Sequence, residues 1–256
     1  MRIATYNVNG IKARLPRLIE WLGETQPDVV CLQELKSTDE TLPIREVAEA
    51  GYQGVWHGQK GFNGVAILAR EQPIEVQRGL EGDPDDDHSR YIEADVAGVR
   101  IAGLYLPNGN PVPGPKFEYK LRWMERLQNR ADALLAEERP TVIAGDFNVI
   151  PFDDDVFRPE AMAFDALMQP ESRAAYRRLT ASGWTDALRS RFPSGGVWTF
   201  WDYQAGCWQR DAGFRIDHLL LSPALADRLT DAGVDKAHRG RERASDHAPT
   251  WVQLRT

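Results

Sequence analysis

The sequence predicts an α/β protein built on two mixed β-sheets packed face to face, with helices on the outside. Three observations predict it. Runs such as Val29-Val30-Cys31-Leu32 and Thr141-Val142-Ile143-Ala144 are apolar at consecutive positions, so those strands need cover on both faces. Apolar residues recur at helical spacing in two other stretches, residues 15–22 and 117–135. Between these lies a series of short strand-like runs joined by hairpin-like turns, without a long helix, which points to antiparallel pairing.

Taken in order, residues 3–8 read as a strand that ends in Asn7 and Asn9. Leu15, Leu18, Ile19 and Leu22 mark a helix, with Pro16 placed in its first turn and Pro27 stopping it. The strand at 29–32 leads into Gln33-Glu34-Leu35-Lys36, and a short helix follows over about 44–50. Strands are expected at 64–69, 74–78, 91–96 and 99–106. A long helix over about 116–137 presents Phe117, Leu121, Met124, Leu127, Ala131, Leu134 and Leu135 as its apolar stripe. It delivers the chain to the strand that runs from Thr141 to Gly145-Asp146-Phe147-Asn148. Beyond come a loop rich in Asp and Pro, a helix near 171–181, an aromatic segment at 198–208, a strand at 215–221 and a last strand near 249–254.

With 256 residues, 42% of them hydrophobic and 27% charged, the chain has ample material for a core and reads as a soluble protein. No Pro/Gly/Ser-rich linker divides it, so residues 1–256 are expected to form one domain. Cys31 and Cys207 offer neither a disulfide framework nor zinc spacing, which fits a reducing compartment. No charged and then apolar leader is visible and no apolar run reaches membrane-spanning length, so a cytoplasmic protein without membrane contact is expected. The net charge of −7 argues against coating nucleic acid by bulk charge. Acid gathers at 83–87 and 153–155, and positive charge at Arg122, Arg126 and Arg130 and at Arg239, Arg241 and Arg243; solvated faces are the expected meaning of each.

The chemistry is concentrated where apolar runs stop. Residues at i and i+2 of an extended chain share a face, so Asp146 and Asn148 would project together from a strand end. Asn7, Glu34, Tyr105 followed by Pro107 and Asn108, Asp217, and Asp246 with His247 stand at similar ends. Each alone has a cheap explanation: an Asx turn, a salt bridge, a surface pair. Together they are what loops on a rigid scaffold use for function. Asn7-Val8-Asn9-Gly10, Gln33-Glu34-Leu35-Lys36, Tyr105-Leu106-Pro107-Asn108-Gly109, Gly145-Asp146-Phe147-Asn148, Arg215-Ile216-Asp217 and Ser245-Asp246-His247 resemble, in order, the motifs of the exonuclease III family of abasic-site endonucleases. That family belongs to the endonuclease/exonuclease/phosphatase superfamily, and the resemblance implies a four-layer α/β sandwich.

Hydrolysis of a phosphodiester needs a cation on the phosphate, a positioned water and relief of charge on the oxygens. Magnesium takes oxygen ligands, typically one or two carboxylates, so Glu34 is the first expected ligand, with Asn7 and Asp246 near it; manganese is a possible substitute. His247 would serve the phosphate as a protonated donor, with Asp217 as the carboxylate that favours that form. The resemblance implies that Asp146 orients or deprotonates the water, that Asn148 and Asn7 hold the phosphate or that water, and that Tyr105 and Asn108 contact phosphate oxygens. An alternative makes Asp146 and Asn148 ligands of a second ion. Phe200, Phe214 and Ile216 match positions where the family forms an apolar pocket for a sugar without its base. Trp201 reads as core, and Asn63 and Arg90 as contacts to the DNA backbone.

The resemblance implies a monomeric DNA-repair hydrolase acting on duplex DNA that carries abasic sites or blocked 3′ ends. It would cut 5′ to the abasic site and trim 3′ ends. The segments 108–115 and 201–212 depart from the family pattern and leave the duplex-gripping loops open. Two rivals stand beside this reading: a phosphatase of inositol or phospholipid headgroups, and a silent DNA-binding module. The second is expected to lack one or more of Glu34, Asp146, Asp217 and His247, and all are present.

Overall fold

The computed structural model describes residues 1–255. One six-stranded sheet holds β1 (Arg2–Asn7), β2 (Val29–Gln33), β3 (Gln53–His57), β4 (Val65–Ala69), β11 (Leu229–Val234) and β12 (Thr250–Leu254), in the order β11-β12-β1-β2-β4-β3. The other holds β5 (Ile74–Arg78), β6 (Tyr91–Val96), β7 (Val99–Tyr105), β8 (Thr141–Asp146), β9 (Thr185–Asp186) and β10 (Asp217–Leu221), in the order β5-β6-β7-β8-β10-β9. The helices are α1 (Ile11–Thr25), α2 (Ile44–Glu49), α3 (Pro115–Ala136), α4 (Pro170–Ala181), α5 (Ala187–Arg191), α6 (Pro223–Ala226) and α7 (Lys236–Arg239).

Alternation along the strands creates the layers. Ile3, Cys31 and Ile67 of the first sheet point inward and share a core with Ile101, Val142 and Leu219 of the second. Their neighbours Ala4, Tyr6, Val30 and Leu32 point outward onto Leu18, Trp21 and Leu22 of α1. On the far side, Leu104, Ile143 and Leu220 pack against Trp123, Met124 and Leu127 of α3 and Tyr176 and Leu179 of α4. The product is helix, sheet, sheet, helix: the expected four-layer sandwich. Among the described residues, no helix is long and apolar enough to cross a membrane.

Several local expectations needed correction. Helix α1 starts at Ile11, after Gly10 at φ 98°, which puts Pro16 inside the helix rather than in its first turn. The apolar face of Leu18, Trp21 and Leu22 holds the helix across that proline. The antiparallel pairing expected of the strand-rich middle holds, with β3 and β4 in the first sheet and β5, β6 and β7 in the second. In α3 the buried stripe includes Lys120 and Trp123, and Leu121 sits at its margin. Strand β10 begins at Asp217, because the Arg215 backbone N–H donates to the Asp155 carbonyl at 2.9 Å instead of to β8; the Arg215 side chain is buried in ion pairs with Asp155 and Asp186. Arg126 and Arg130 do not form a solvated face either; they pair with Asp86 and with the fully buried Glu93.

Candidate active site

Strand direction assembles the site. β1 runs parallel to β2 and β7 runs parallel to β8, so within each pair the C-terminal ends lie side by side. β12 and β10 run antiparallel to β1 and β8, which puts the beginnings of β12 and β10 beside those same ends. Asn7 therefore closes β1, Glu34 follows β2, Tyr105 closes β7, Asp146 closes β8, Asp217 opens β10 and His247 precedes β12. A Cβ on Gly145 would stand 2.0 Å from the Leu104 carbonyl oxygen, so only glycine lets β8 lie against β7 with Asp146 opposite Tyr105.

One ligand atom each from Glu34, Asp146 and His247 falls within 4.8 Å of the other two. Asn7 joins the sheets: its Nδ2 donates to Glu34 Oε1 at 2.9 Å and to Asp146 Oδ2 at 3.0 Å. Glu34 sits in the left-handed region at φ 52°, as does Asn148 at φ 47°, uncommon conformations for residues with a Cβ. The Asn148 backbone N–H donates to Asp146 Oδ1 at 2.9 Å, and its side chain accepts from Asn108 Nδ2 at 3.2 Å. Asp246 stands one step away, accepting from Asn9 at 3.0 Å, and Asn9 in turn is tied to Glu34 through Lys36.

The charges are ordered by burial and by neighbours. Burial pushes the Glu34 carboxyl up, but the Lys36 ammonium at 2.9 Å and the Asn7 amide outweigh it and hold the group below its ordinary value. Burial pushes Asp146 up, the His247 cation pulls it back, and Asp217 adds to the rise; the net value is raised. Burial pushes His247 down, yet Asp217 at 2.8 Å from Nδ1 and Asp146 at 3.7 Å from Nε2 raise it to about 10, so it is a cation at neutral pH. Tyr105, half-buried beside Glu34 and Asp146, is held well above its ordinary value by loss of water and by those two carboxylates, and stays a neutral phenol.

Next to this cluster lies an apolar corner. The Phe200 ring is 4.7 Å from that of Phe214 and 4.9 Å, edge-on, from the His247 imidazole. Both phenylalanines pack against a small cluster that contains buried Ile216. Thr199 Oγ1 fixes this corner to the catalytic strand by accepting from the backbone N–H groups of Ile216 and Asp217, each at 3.1 Å.

The chain matches the Endonuclease/Exonuclease/phosphatase family over residues 4–247, from the middle of β1 to His247. The chain belongs to the endonuclease/exonuclease/phosphatase family. It is 33% identical to exodeoxyribonuclease III of Haemophilus influenzae, with all of both chains covered. Among solved structures it resembles the 3′ phosphatase NExo from Neisseria, bound to a product DNA hairpin, at 39% identity and a TM-score of 0.97 over all of both chains. An AP endonuclease from Archaeoglobus fulgidus is similar, at 36% identity and a TM-score of 0.96, again over all of both chains.

Within this family fold, the expected site residues Asn7, Glu34, Tyr105, Asn108, Asp146, Asn148, Asp217, Asp246 and His247 lie on one edge of the sandwich. Trp201 is fully buried, as expected of core. Asn63 is 3% exposed with its amide committed to Gln59, which leaves it little to offer a DNA backbone. Arg90 lies over the Tyr105 ring and donates to the Tyr105 carbonyl at 3.2 Å. Three members of the site had no role assigned from sequence. Asn9 and Lys36 belong to quoted motifs at two residues from Asn7 and Glu34, and that spacing was their signal. Lys120, fully buried, donates to the carbonyls of Asn148 at 2.5 Å and Asn108 at 3.0 Å, and its signal was a lysine on the apolar stripe of α3.

Proposed function

We propose that this chain hydrolyses the phosphodiester 5′ to an abasic site in duplex DNA and removes 3′-terminal blocking groups and nucleotides, as a metal-dependent DNA-repair nuclease of the exodeoxyribonuclease III type. The observation that carries the reading is the meeting of Glu34, Asp146 and His247, from three distant segments, within 4.8 Å. Relatives named as exodeoxyribonuclease III and as AP endonuclease, alike over the whole length, support the DNA substrate.

The residues fit a hard divalent ion. Glu34 is kept ionised by Lys36 and Asn7 and meets the Asp146 carboxylate within 4.8 Å, a pair of carboxylates that suits magnesium, with manganese as a substitute. When bound, such an ion would neutralise charge on the phosphate oxygens. Glu34 is the principal ligand in this reading, with Asn7 and Asp246 supporting it. Asp146, raised by burial, takes a proton from a water that Asn148 helps to position. The water oxygen bonds to phosphorus as the bond to the 3′ oxygen breaks; the 3′ oxygen leaves as an alkoxide and takes a proton from solvent to become a hydroxyl, and the phosphate stays on the 5′ oxygen of the abasic sugar. His247, held as a cation by Asp217, and Tyr105 and Asn108 donate to the phosphate oxygens, while Asn7, whose amide hydrogens go to Glu34 and Asp146, holds those two carboxylates in place beside the phosphate. Phe200, Phe214 and Ile216 receive the extruded sugar and leave no room for a base. Residues 1–256 act in this reading as one catalytic domain, a monomer in the cytoplasm.

The deciding experiment is incision of a duplex with one abasic analogue, run with magnesium and with chelator, beside a soluble inositol phosphate. Magnesium-dependent cleavage of the DNA alone is expected; turnover of the inositol phosphate alone would replace this function with that of a headgroup phosphatase.

A further inference from the structure

Lys120 stands in the second turn of α3, on the stripe that otherwise buries Phe117, Trp123, Met124 and Leu127. Its side chain is 0% exposed, and its ammonium has no ion-pair partner among the described residues. Burial draws the group down to about 7, and only the more distant charges of Asp165 and Asp146 pull it back. A buried cation without a carboxylate is costly, and a methionine would pack along the same stripe without that cost.

In place of a carboxylate, the ammonium meets three backbone carbonyls, one from each of three separate segments. Nζ donates to Asn148 at 2.5 Å, to Asn108 at 3.0 Å and to Ala166 at 3.5 Å. Asn148 follows β8, Asn108 follows β7, and Ala166 precedes α4. Three acceptors use the full donor capacity of an ammonium. The stem is fitted as closely as the head: a Cβ on Gly109, which sits at φ 92°, would stand 2.7 Å from Lys120 Cδ and 3.2 Å from Ala166 Cβ.

Side chains tie the same segments a second time. Asn110 Nδ2 donates to Asn108 Oδ1 at 2.9 Å and to Asp165 Oδ1 at 3.0 Å, and Asn110 Oδ1 accepts from the Ala166 N–H at 3.0 Å. Asn108 continues the line to Asn148 Oδ1, and the Asn148 N–H ends it on the Asp146 carboxylate. A hydrogen-bonded path therefore runs from Asp165 to Asp146 over the Lys120 ammonium. Asn148, in the middle of it, holds a left-handed backbone at φ 47°, a conformation that persists where surrounding contacts enforce it.

We propose that Lys120 is a positioning residue of the hydrolytic site. By fixing the backbones of residues 108, 148 and 166 to one another, it sets the places of the Asn108 and Asn148 side chains and, through the Asn148 N–H, the direction of the Asp146 carboxylate. Being fully buried, it touches no substrate. Displacement of such groups by about 1 Å costs about a hundredfold in rate. The reaction being positioned rests on the function proposed above; the clamp on three segments does not.

The test compares wild type with Lys120→Met, which keeps an unbranched stem and removes the ammonium. Incision of an abasic duplex is expressed per folded molecule. Amide hydrogen exchange is followed in chelator at Ile150, whose N–H is bonded to the Leu167 carbonyl at 2.9 Å, at Ala166, and at Ile143 inside β8 as the control. The variant should lose about tenfold to a hundredfold in kcat with KM changed less than about threefold, and exchange should quicken at Ile150 and Ala166 but not at Ile143. Unchanged kcat in the folded variant overturns the proposal, as does a raised KM at constant kcat, which would make Lys120 a support for binding alone. Exchange that quickens equally at all three amides also overturns it, by making Lys120 a core residue only. Should Lys120→Met fail to fold, Lys120→Gln, which retains a neutral donor, carries the same comparison with a smaller loss in kcat; failure of both to fold again leaves a core residue and overturns the proposal. A wild type that does not incise, with exchange quickened only at Ile150 and Ala166 in the variant, counts against the proposed function and leaves the clamp standing.

Discussion

His247 Nδ1 lies 2.8 Å from Asp217 Oδ2, and both side chains are buried at the joint between the two sheets. Burial opposes the imidazolium, but Asp217 and then Asp146 raise His247 to about 10. A raised folded-state value gives stability that is fully present below the unfolded value of 6.5 and is lost as pH rises through about 10. Metal-free protein in chelator is expected to lose that contribution across this window. Asp217→Asn should flatten the fall, read as the difference between the two proteins' denaturant melts at each pH. Identical pH dependence in the variant would show that Asp217 does not hold the charge.

Asp146 faces His247 and Asn7 from the end of β8, with its carboxylate oriented by the Asn148 N–H. Asp146→Asn keeps the shape and removes the charge. It should leave the melting temperature near that of the wild type while lowering incision about a hundredfold to ten-thousandfold, the usual range for loss of a general base. Near-normal turnover would remove Asp146 from the mechanism.

Glu34 is ionised because Lys36 and Asn7 outweigh its burial. Chelator should abolish incision and magnesium restore it. Glu34→Gln should raise the magnesium needed for half-maximal incision about tenfold or more, since it removes a direct ligand rather than an outer-shell partner. A titration curve that superimposes on the wild type's would place the ion elsewhere.

Phe200 fills the space between Phe214 and His247. Truncation by Phe200→Ala enlarges that corner without touching a charged group. Relative rates on abasic and intact duplexes should move toward each other, with cleavage beside intact nucleotides gaining ground. An unchanged ratio would count against the pocket as the discriminating element.

The layers were readable because central strands and amphipathic helices write their burial into local periodicity, as β2, β8 and α3 do. β3 and β11 escaped notice because both are edge strands, partly solvent-exposed, and lack that alternation. Arg126 and Arg130 looked like a solvated face for a related reason: their partners Asp86 and Glu93 are 40 and 37 residues away.

By itself the sequence determined which side chains end the strands, and through their order the family to which the chain belongs. Only the tertiary structure decided the distances and charges: Asn7 bridging Glu34 and Asp146, Lys36 restraining Glu34, Asp217 raising His247, and Lys120 holding the Asn108 and Asn148 backbones. The physical reason is that residue type and spacing are properties of a short stretch of chain. Desolvation and Coulomb interactions depend on separations through space, and here they join residues 7, 34, 146, 217 and 247 across two sheets.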